Sequence, residues 1–123
     1  MACLVILCGE QEGKYFQLAK RPLSGGRDPA TDIQLVDPKV SRRHFQVRRE
    51  DGGYVIRELR SKNGVLVNGK RITEEQLLCD GDEIKIGDTF LAYYHEDNPD
   101  RSNALEQFKR ASRELREDRT VGG

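Results

Sequence analysis

Three short clusters in the sequence hold side chains able to grip an oxyanion: Gly26-Arg27, Ser41-Arg42-Arg43-His44, and Ser61-Lys62-Asn63-Gly64, the last followed by Asn68-Gly69. A phosphate dianion needs several charge-assisted hydrogen bonds from groups that resist neutralisation, and a guanidinium offers two parallel donors in a fixed fork. Arg27 is the first candidate for that duty, with Lys62 a point charge on a separate loop. Ser41 and His44 also raise a nucleophile-and-base reading. A lone Ser and His have no orienting carboxylate and no recognisable oxyanion arrangement, so no catalytic residue is assigned. Metal chemistry is equally ill served, because Cys3, Cys8 and Cys79 match no zinc spacing and only His44 and His95 could complete a site. The run Asp80-Gly81-Asp82-Glu83 looks like a calcium-loop fragment, but the remaining ligand positions do not follow. No metal and no cofactor are expected.

These clusters lie at junctions between short apolar or alternating runs separated by Gly, Asp, Asn and Pro, the pattern of an all-β sandwich or barrel. Strands are expected over 2–8, 15–20, 33–35, 45–50, 54–60, 65–67, 76–79, 83–86 and 89–95. Alternation is clean in two of them: Phe45 and Val47 against Gln46 and Arg48, and Ile84 and Ile86 against Glu83 and Lys85. Asp51-Gly52-Gly53, Asn68-Gly69, Asp80-Gly81 and Gly87-Asp88 are turn sequences tolerant of positive φ. Segments 24–32 and 37–43 are long, polar and basic, and read as the loops on which function sits. After His95 the character changes to a polar linker over 96–102, an amphipathic helix over 103–118 and a disordered tail over 119–123. Leu105, Phe108 and Leu115, with Ala104 and Ala111, give that helix a narrow apolar stripe. The stripe either packs back on the sandwich, frays in solvent, or docks to a partner or a second copy.

A chain of 123 residues suits one compact domain with a short appendage. Its net charge of zero argues against a polyanion-binding surface, and no tryptophan or aromatic-rich stacking motif accompanies Arg42, Arg43, Arg48 and Arg49; nucleic acid is not an expected ligand. The apolar start, 1–8, lacks a basic leader and a small-residue cleavage site. No apolar run approaches the roughly 20 residues of a membrane span. A soluble, cytoplasmic protein is expected, with its cysteines reduced.

In their order and spacing, the three clusters resemble the signature of the forkhead-associated (FHA) domain: a Gly-Arg pair, a Ser-x-x-His element and an Asn-Gly loop. The resemblance runs from about Leu4 to Tyr94 and takes in Asp32-Ile33 through Leu35 and the hairpin from Gly81-Asp82-Glu83-Ile84 to Gly87. It implies an FHA-type β-sandwich of short antiparallel and mixed strands over 1–95. It further implies a non-catalytic adaptor that binds phosphothreonine on a partner protein in Ser/Thr kinase signalling, the partner being a kinase substrate or the kinase itself. By the same resemblance, Arg27, the Ser41 hydroxyl, the Arg42 backbone amide and side chain, and Lys62 hold the phosphate. Asn63 pairs with the peptide main chain, while Gly26, Gly64 and Asn68 order loops or make secondary contacts. His44 is structural, tying the Ser41 loop to neighbouring backbone, and Lys39 biases the partner toward an acidic residue downstream of the phosphothreonine. Preference for threonine over serine implies a small apolar recess for the extra methyl, worth about 1 kcal/mol. One position departs from the pattern, since Val65 stands where the family commonly has Thr, which removes a hydroxyl from the loop. The rival reading is a phosphate-independent FHA-type scaffold that self-associates through 103–118.

Overall fold

The computed structural model describes residues 2–95; the expected linker (96–102), helix (103–118) and tail (119–123) lie outside them, and with them the self-association reading. Eleven strands follow in order: β1 (Cys3–Cys8), β2 (Tyr15–Gln17), β3 (Leu23–Gly26), β4 (Ile33–Gln34), β5 (Phe45–Glu50), β6 (Gly53–Glu58), β7 (Val65–Val67), β8 (Lys70–Arg71), β9 (Glu75–Leu78), β10 (Glu83–Ile86) and β11 (Thr89–Tyr94). They form a six-stranded sheet, β2-β1-β11-β10-β7-β8, and a five-stranded sheet, β4-β3-β5-β6-β9. Every pairing is antiparallel except β3 with β4, so the sandwich is mixed, as the sequence led us to expect.

The core lies between the sheets and follows the period-2 pattern. Phe45 and Val47 of β5, Ile84 and Ile86 of β10, and Leu91 and Tyr93 of β11 all point into it. Both expected alternations hold: Gln46, Arg48, Glu83 and Lys85 face outward and are half-buried. The turns do what their sequences require. Asp51 and Gly52 both have positive φ (49° and 80°), as do Asn68 and Gly69 (51° and 84°), which is the type I′ pattern whose twist suits a two-residue hairpin.

Two strands escape the sequence reading. β3 occupies part of 24–32, taken above as loop, because Leu-Ser-Gly-Gly has no β-branched residue to announce a strand. Its glycines serve close approach: a Cβ on Gly25 would collide with the Phe45 ring, and one on Gly26 with the Arg42 carbonyl. β8 is two exposed basic residues with no apolar signal, paired with β7 only because the Asn68-Gly69 turn folds them back. The strand expected over 54–60 starts and stops earlier, at Gly53 and Glu58, and Arg60 then takes a left-handed φ of 48° as the chain enters the Ser61-to-Gly64 loop.

Candidate functional site

The three clusters meet at one end of the sandwich because backbone ladders splice their loops together. Past the end of β3, the Arg27 amide donates to the Ser41 carbonyl (3.0 Å) and the Asp28 amide to the Arg42 carbonyl (3.1 Å). The His44 amide donates to the Gly25 carbonyl (2.9 Å), so the Ser41-to-His44 turn lies flush against the Gly25-Gly26 backbone. The missing side chain at Gly26 makes that contact possible.

His44 joins the second and third clusters. Its ring is completely buried, and Nδ1 accepts the Ser41 amide hydrogen at 3.0 Å. An amide nitrogen can only donate, so Nδ1 carries no proton, and Nε2 must donate to the Gly64 carbonyl at 2.8 Å. Burial pushes the ring's pKa below its ordinary value, outweighing the Gly64 hydrogen bond and the nearby carboxylates that favour the cation. The neutral ring thus has both nitrogens committed to backbone, and neither is available to take a proton from Ser41.

Ser41 and Lys62 are bonded directly: the Lys62 amide donates to Ser41 Oγ at 3.1 Å. Since that bond uses an oxygen lone pair, the Ser41 hydroxyl keeps its own hydrogen to donate. Asn63 donates from Nδ2 to the Lys39 carbonyl at 2.7 Å, clasping the 37–43 loop to the Ser61-to-Gly64 loop. Its Oδ1 has no hydrogen-bond partner among the described residues. Gly64 has φ 77°, and a Cβ there would meet the Arg71 guanidinium, so only glycine is unstrained at this corner. Ser61, itself buried, accepts the Gly64 amide at 3.0 Å.

Arg27 is exposed, but it does not wave freely: Nε donates to the Val40 carbonyl at 3.0 Å. That tether leaves the terminal guanidinium nitrogens for a ligand. They border a recess of ≈ 500 Å³ lined by Arg27, Pro38, Lys39, Val40, Ser41, Lys62 and Asn63. Three cations converge on it, of which Lys39 is also paired with the exposed Asp88 at 3.3 Å. A larger hollow of ≈ 760 Å³ lies elsewhere, along β9, with Glu50, Asp51, Glu75 and Asp80 in its wall. Carboxylates repel a phosphate, so the smaller recess is the one with the right chemistry.

Five of the expected ligand contacts therefore share one recess: Arg27, Lys39, Ser41, Lys62 and Asn63. The Arg42 side chain is exposed and does not line it, although the Arg42 backbone is spliced to Asp28. Asn68 is not among the lining residues either. Its side chain is committed to the turn that enters β10, donating from Nδ2 to Asp82 (2.9 Å) and accepting the Glu83 amide at Oδ1 (3.0 Å). Val65 is fully buried and faces the core, so the position that lacks the family's hydroxyl acts here as packing.

Sequence reasoning missed three residues. Pro38 and Val40 supply the apolar part of the wall, and nothing but their neighbourhood to Ser41 could have suggested them. Asp37 is the hidden anchor of the loop. It is buried, and it accepts the Lys39 amide (2.9 Å), the Asp88 amide (2.8 Å) and the Thr89 hydroxyl (2.9 Å). Burial alone would raise its pKa, but these hydrogen bonds together hold the carboxyl below its usual value.

The described residues thus form a two-sheet β-sandwich with a cationic recess held at one end by spliced loops. The FHA domain family model matches residues 23–87, and the chain belongs to the forkhead-associated domain family. It is 38% identical over 90 residues to the oxoglutarate dehydrogenase inhibitor of Corynebacterium diphtheriae, covering 73% of this chain and 62% of that protein. It is 38% identical over 92 residues to the glycogen accumulation regulator GarA of Mycolicibacterium smegmatis, covering 75% of this chain and 58% of that protein. The chain thus spans less than two thirds of the curated relatives it matches. Among solved structures, it superimposes with a TM-score of 0.72 and 29% identity on a protein from a structural and functional analysis of phosphothreonine-dependent FHA domain interactions, covering 79% of this chain and 98% of that one. Among the described residues, no helix is long and apolar enough to cross a membrane.

Proposed function

We propose that this chain is a phosphothreonine-dependent interaction module of Ser/Thr kinase signalling, binding a kinase substrate or the kinase itself and performing no chemistry of its own. The observation that carries this reading is Arg27, whose guanidinium is pinned through Nε and offers its remaining nitrogens to the recess shared with Ser41, Lys62 and Asn63. A guanidinium fixed before binding forfeits less conformational entropy when it takes up a phosphate. The Ser41 hydroxyl and the Lys62 ammonium close on the phosphate from the other loops, and the Arg42 amide and side chain contribute from the rim. Asn63 Oδ1 accepts a main-chain amide of an extended peptide while Nδ2 stays on Lys39. Lys39 is paired with Asp88 only through an exposed contact worth little, so an acidic ligand residue can compete for it. Asn68 and the two glycines order the loops. That the relatives are named as an inhibitor and a regulator supports an adaptor acting by binding.

The test is a phosphothreonine peptide library presented to wild type and Arg27→Ala. Two charge-assisted hydrogen bonds at about 1.5 kcal/mol each amount to about 3 kcal/mol, or roughly a hundredfold in affinity. Loss of the captured set in Arg27→Ala is the expected result. Capture of the same peptides at undiminished affinity would remove the site.

A further inference from the structure

One cation stands beside the recess without lining it. Arg71 ends β8, the outermost strand of the six-stranded sheet, where it pairs with Leu66 of β7. The next residue, Ile72, donates its amide to the Val65 carbonyl at 2.9 Å. These contacts place Arg71 at the start of β7, level with the Asn63-Gly64 corner. Its guanidinium lies against the Gly64 backbone so closely that a Cβ on Gly64 would come 2.7 Å from Cζ; the absent side chain is what lets the arginine reach the corner. Glu58 holds it there from behind. This carboxylate, with 11% of its side chain exposed, accepts the Val65 amide at Oε1 (3.2 Å) and sets Oε2 at 3.6 Å from Arg71 Nη2. The Arg71 side chain is 58% exposed, so its outer N–H groups face solvent.

We propose that Arg71 is a specificity residue of the phosphothreonine site, binding a carboxylate on the ligand upstream of the phosphothreonine; this rests on the reading of the recess given above. The direction follows from strand order. Ile86 pairs with Val65, so the β10-β11 turn, the Asn63-Gly64 corner and Arg71 stand side by side at one end of the sheet, over β10 and β11, β7, and β8 in that order. Lys39 leans toward the first of these, with Nζ 3.3 Å from Asp88. Strands about 4.8 Å apart put that turn and Arg71 about 12 Å from each other, the span of about four residues of extended peptide. A peptide whose main chain is held by Asn63 between them passes Lys39 on one side and Arg71 on the other. Since Lys39 is assigned the downstream residues, Arg71 faces the upstream ones. The Glu58 charge behind the guanidinium weakens its attraction for a dianion, while the outer fork matches a carboxylate.

The test is calorimetric titration with phosphothreonine peptides of neutral flanks, carrying a single Glu or Gln at each of the four positions before the phosphothreonine. The proteins are wild type, Arg71→Gln, Arg71→Lys and a charge control, Arg49→Gln, Arg49 being exposed near the far end of β5. In wild type, Glu at one of these positions should bind about three- to fivefold more tightly than Gln, the size of an exposed charge pair. That gain should fall below about 1.5-fold in Arg71→Gln, survive in part in Arg71→Lys and in full in Arg49→Gln, and shrink in about 0.5 M salt. The neutral phosphopeptide should bind all four proteins within about twofold. An equal gain in wild type and Arg71→Gln, or none at any upstream position in wild type, would overturn the proposal and leave the phosphate site standing. If Arg71→Gln weakens the neutral phosphopeptide as well, Arg71→Lys decides: a gain that survives there supports the carboxylate contact, and one that is lost makes Arg71 a mere support of the Gly64 corner and overturns it. A wild type that binds phosphorylated and unphosphorylated peptides equally would instead refute the reading of the recess, and the proposal with it.

Discussion

Replacing His44 by Phe keeps a buried ring of similar bulk and deletes two hydrogen bonds, which isolates what the imidazole does for the site. The Ser41 amide loses its acceptor and the Gly64 carbonyl its donor, both next to a side chain with no exposure. Each orphaned buried group costs about 1–3 kcal/mol, so the variant should lose about 2–6 kcal/mol if the loops stay in place. The loops have another course: the 37–43 turn can peel outward and let water satisfy Ser41. In that case less global stability is lost, but Ser41 and the Lys62 amide bonded to it leave the recess, and phosphopeptide affinity falls instead. Urea unfolding and peptide titration together capture both routes. Acid provides a second signature. Since burial lowers the folded-state pKa of His44 below its ordinary 6.5, the folded protein binds this proton less readily than the unfolded chain. Its contribution to stability is complete above that value and declines as pH falls toward the folded pKa, with a slope of at most about 1.4 kcal/mol per pH unit. Wild type should show this decline and His44→Phe should lack it, with the difference between the two curves removing the carboxylates common to both. A variant within about 0.5 kcal/mol of wild type in stability, and within about twofold in affinity, would refute the reasoning.

Gly26→Ala should weaken phosphopeptide binding at least tenfold and destabilise the fold by about 1–3 kcal/mol, because its Cβ would collide with the Arg42 carbonyl and force the Ser41 turn away from β3; calorimetric titration and thermal unfolding measure the two effects. Lys39→Ala should leave affinity for a phosphothreonine peptide with neutral flanks within about twofold and abolish any preference for an acidic residue downstream. A peptide array that shows the same acidic preference in wild type and variant would remove Lys39 from the specificity surface.

Much of the site was legible because its residues announce themselves by type and order. Arg27, Ser41, Lys62 and Asn63 are far apart in the chain, and each occupies a turn that the pattern of strands marks independently. What the sequence hid was long-range geometry. Asp37 reads as an ordinary loop acid until Thr89 and the Asp88 amide, more than fifty residues away, are seen to converge on it. β3 was hidden for a related reason, since Leu23 to Gly26 forms a strand through what Phe45 and Arg42 press against it and not through its own propensity. Asn68 shows the limit from the other side: its turn conformation was predictable from Asn-Gly, but its commitment to Asp82 and Glu83 required knowing that β10 runs beside β7. Arg42 belongs to the motif by spacing, yet its side chain stands outside the recess wall, because spacing places a backbone and not the direction of a long side chain.

The central claim is that the recess reads a phosphate on threonine, and calorimetric titration with one extended peptide in two forms tests it most directly. A phosphothreonine peptide and its unphosphorylated twin should differ by at least a hundredfold in affinity, given about 1.5–3 kcal/mol for each charge-assisted hydrogen bond lost. Equal affinity for the two peptides would contradict the account.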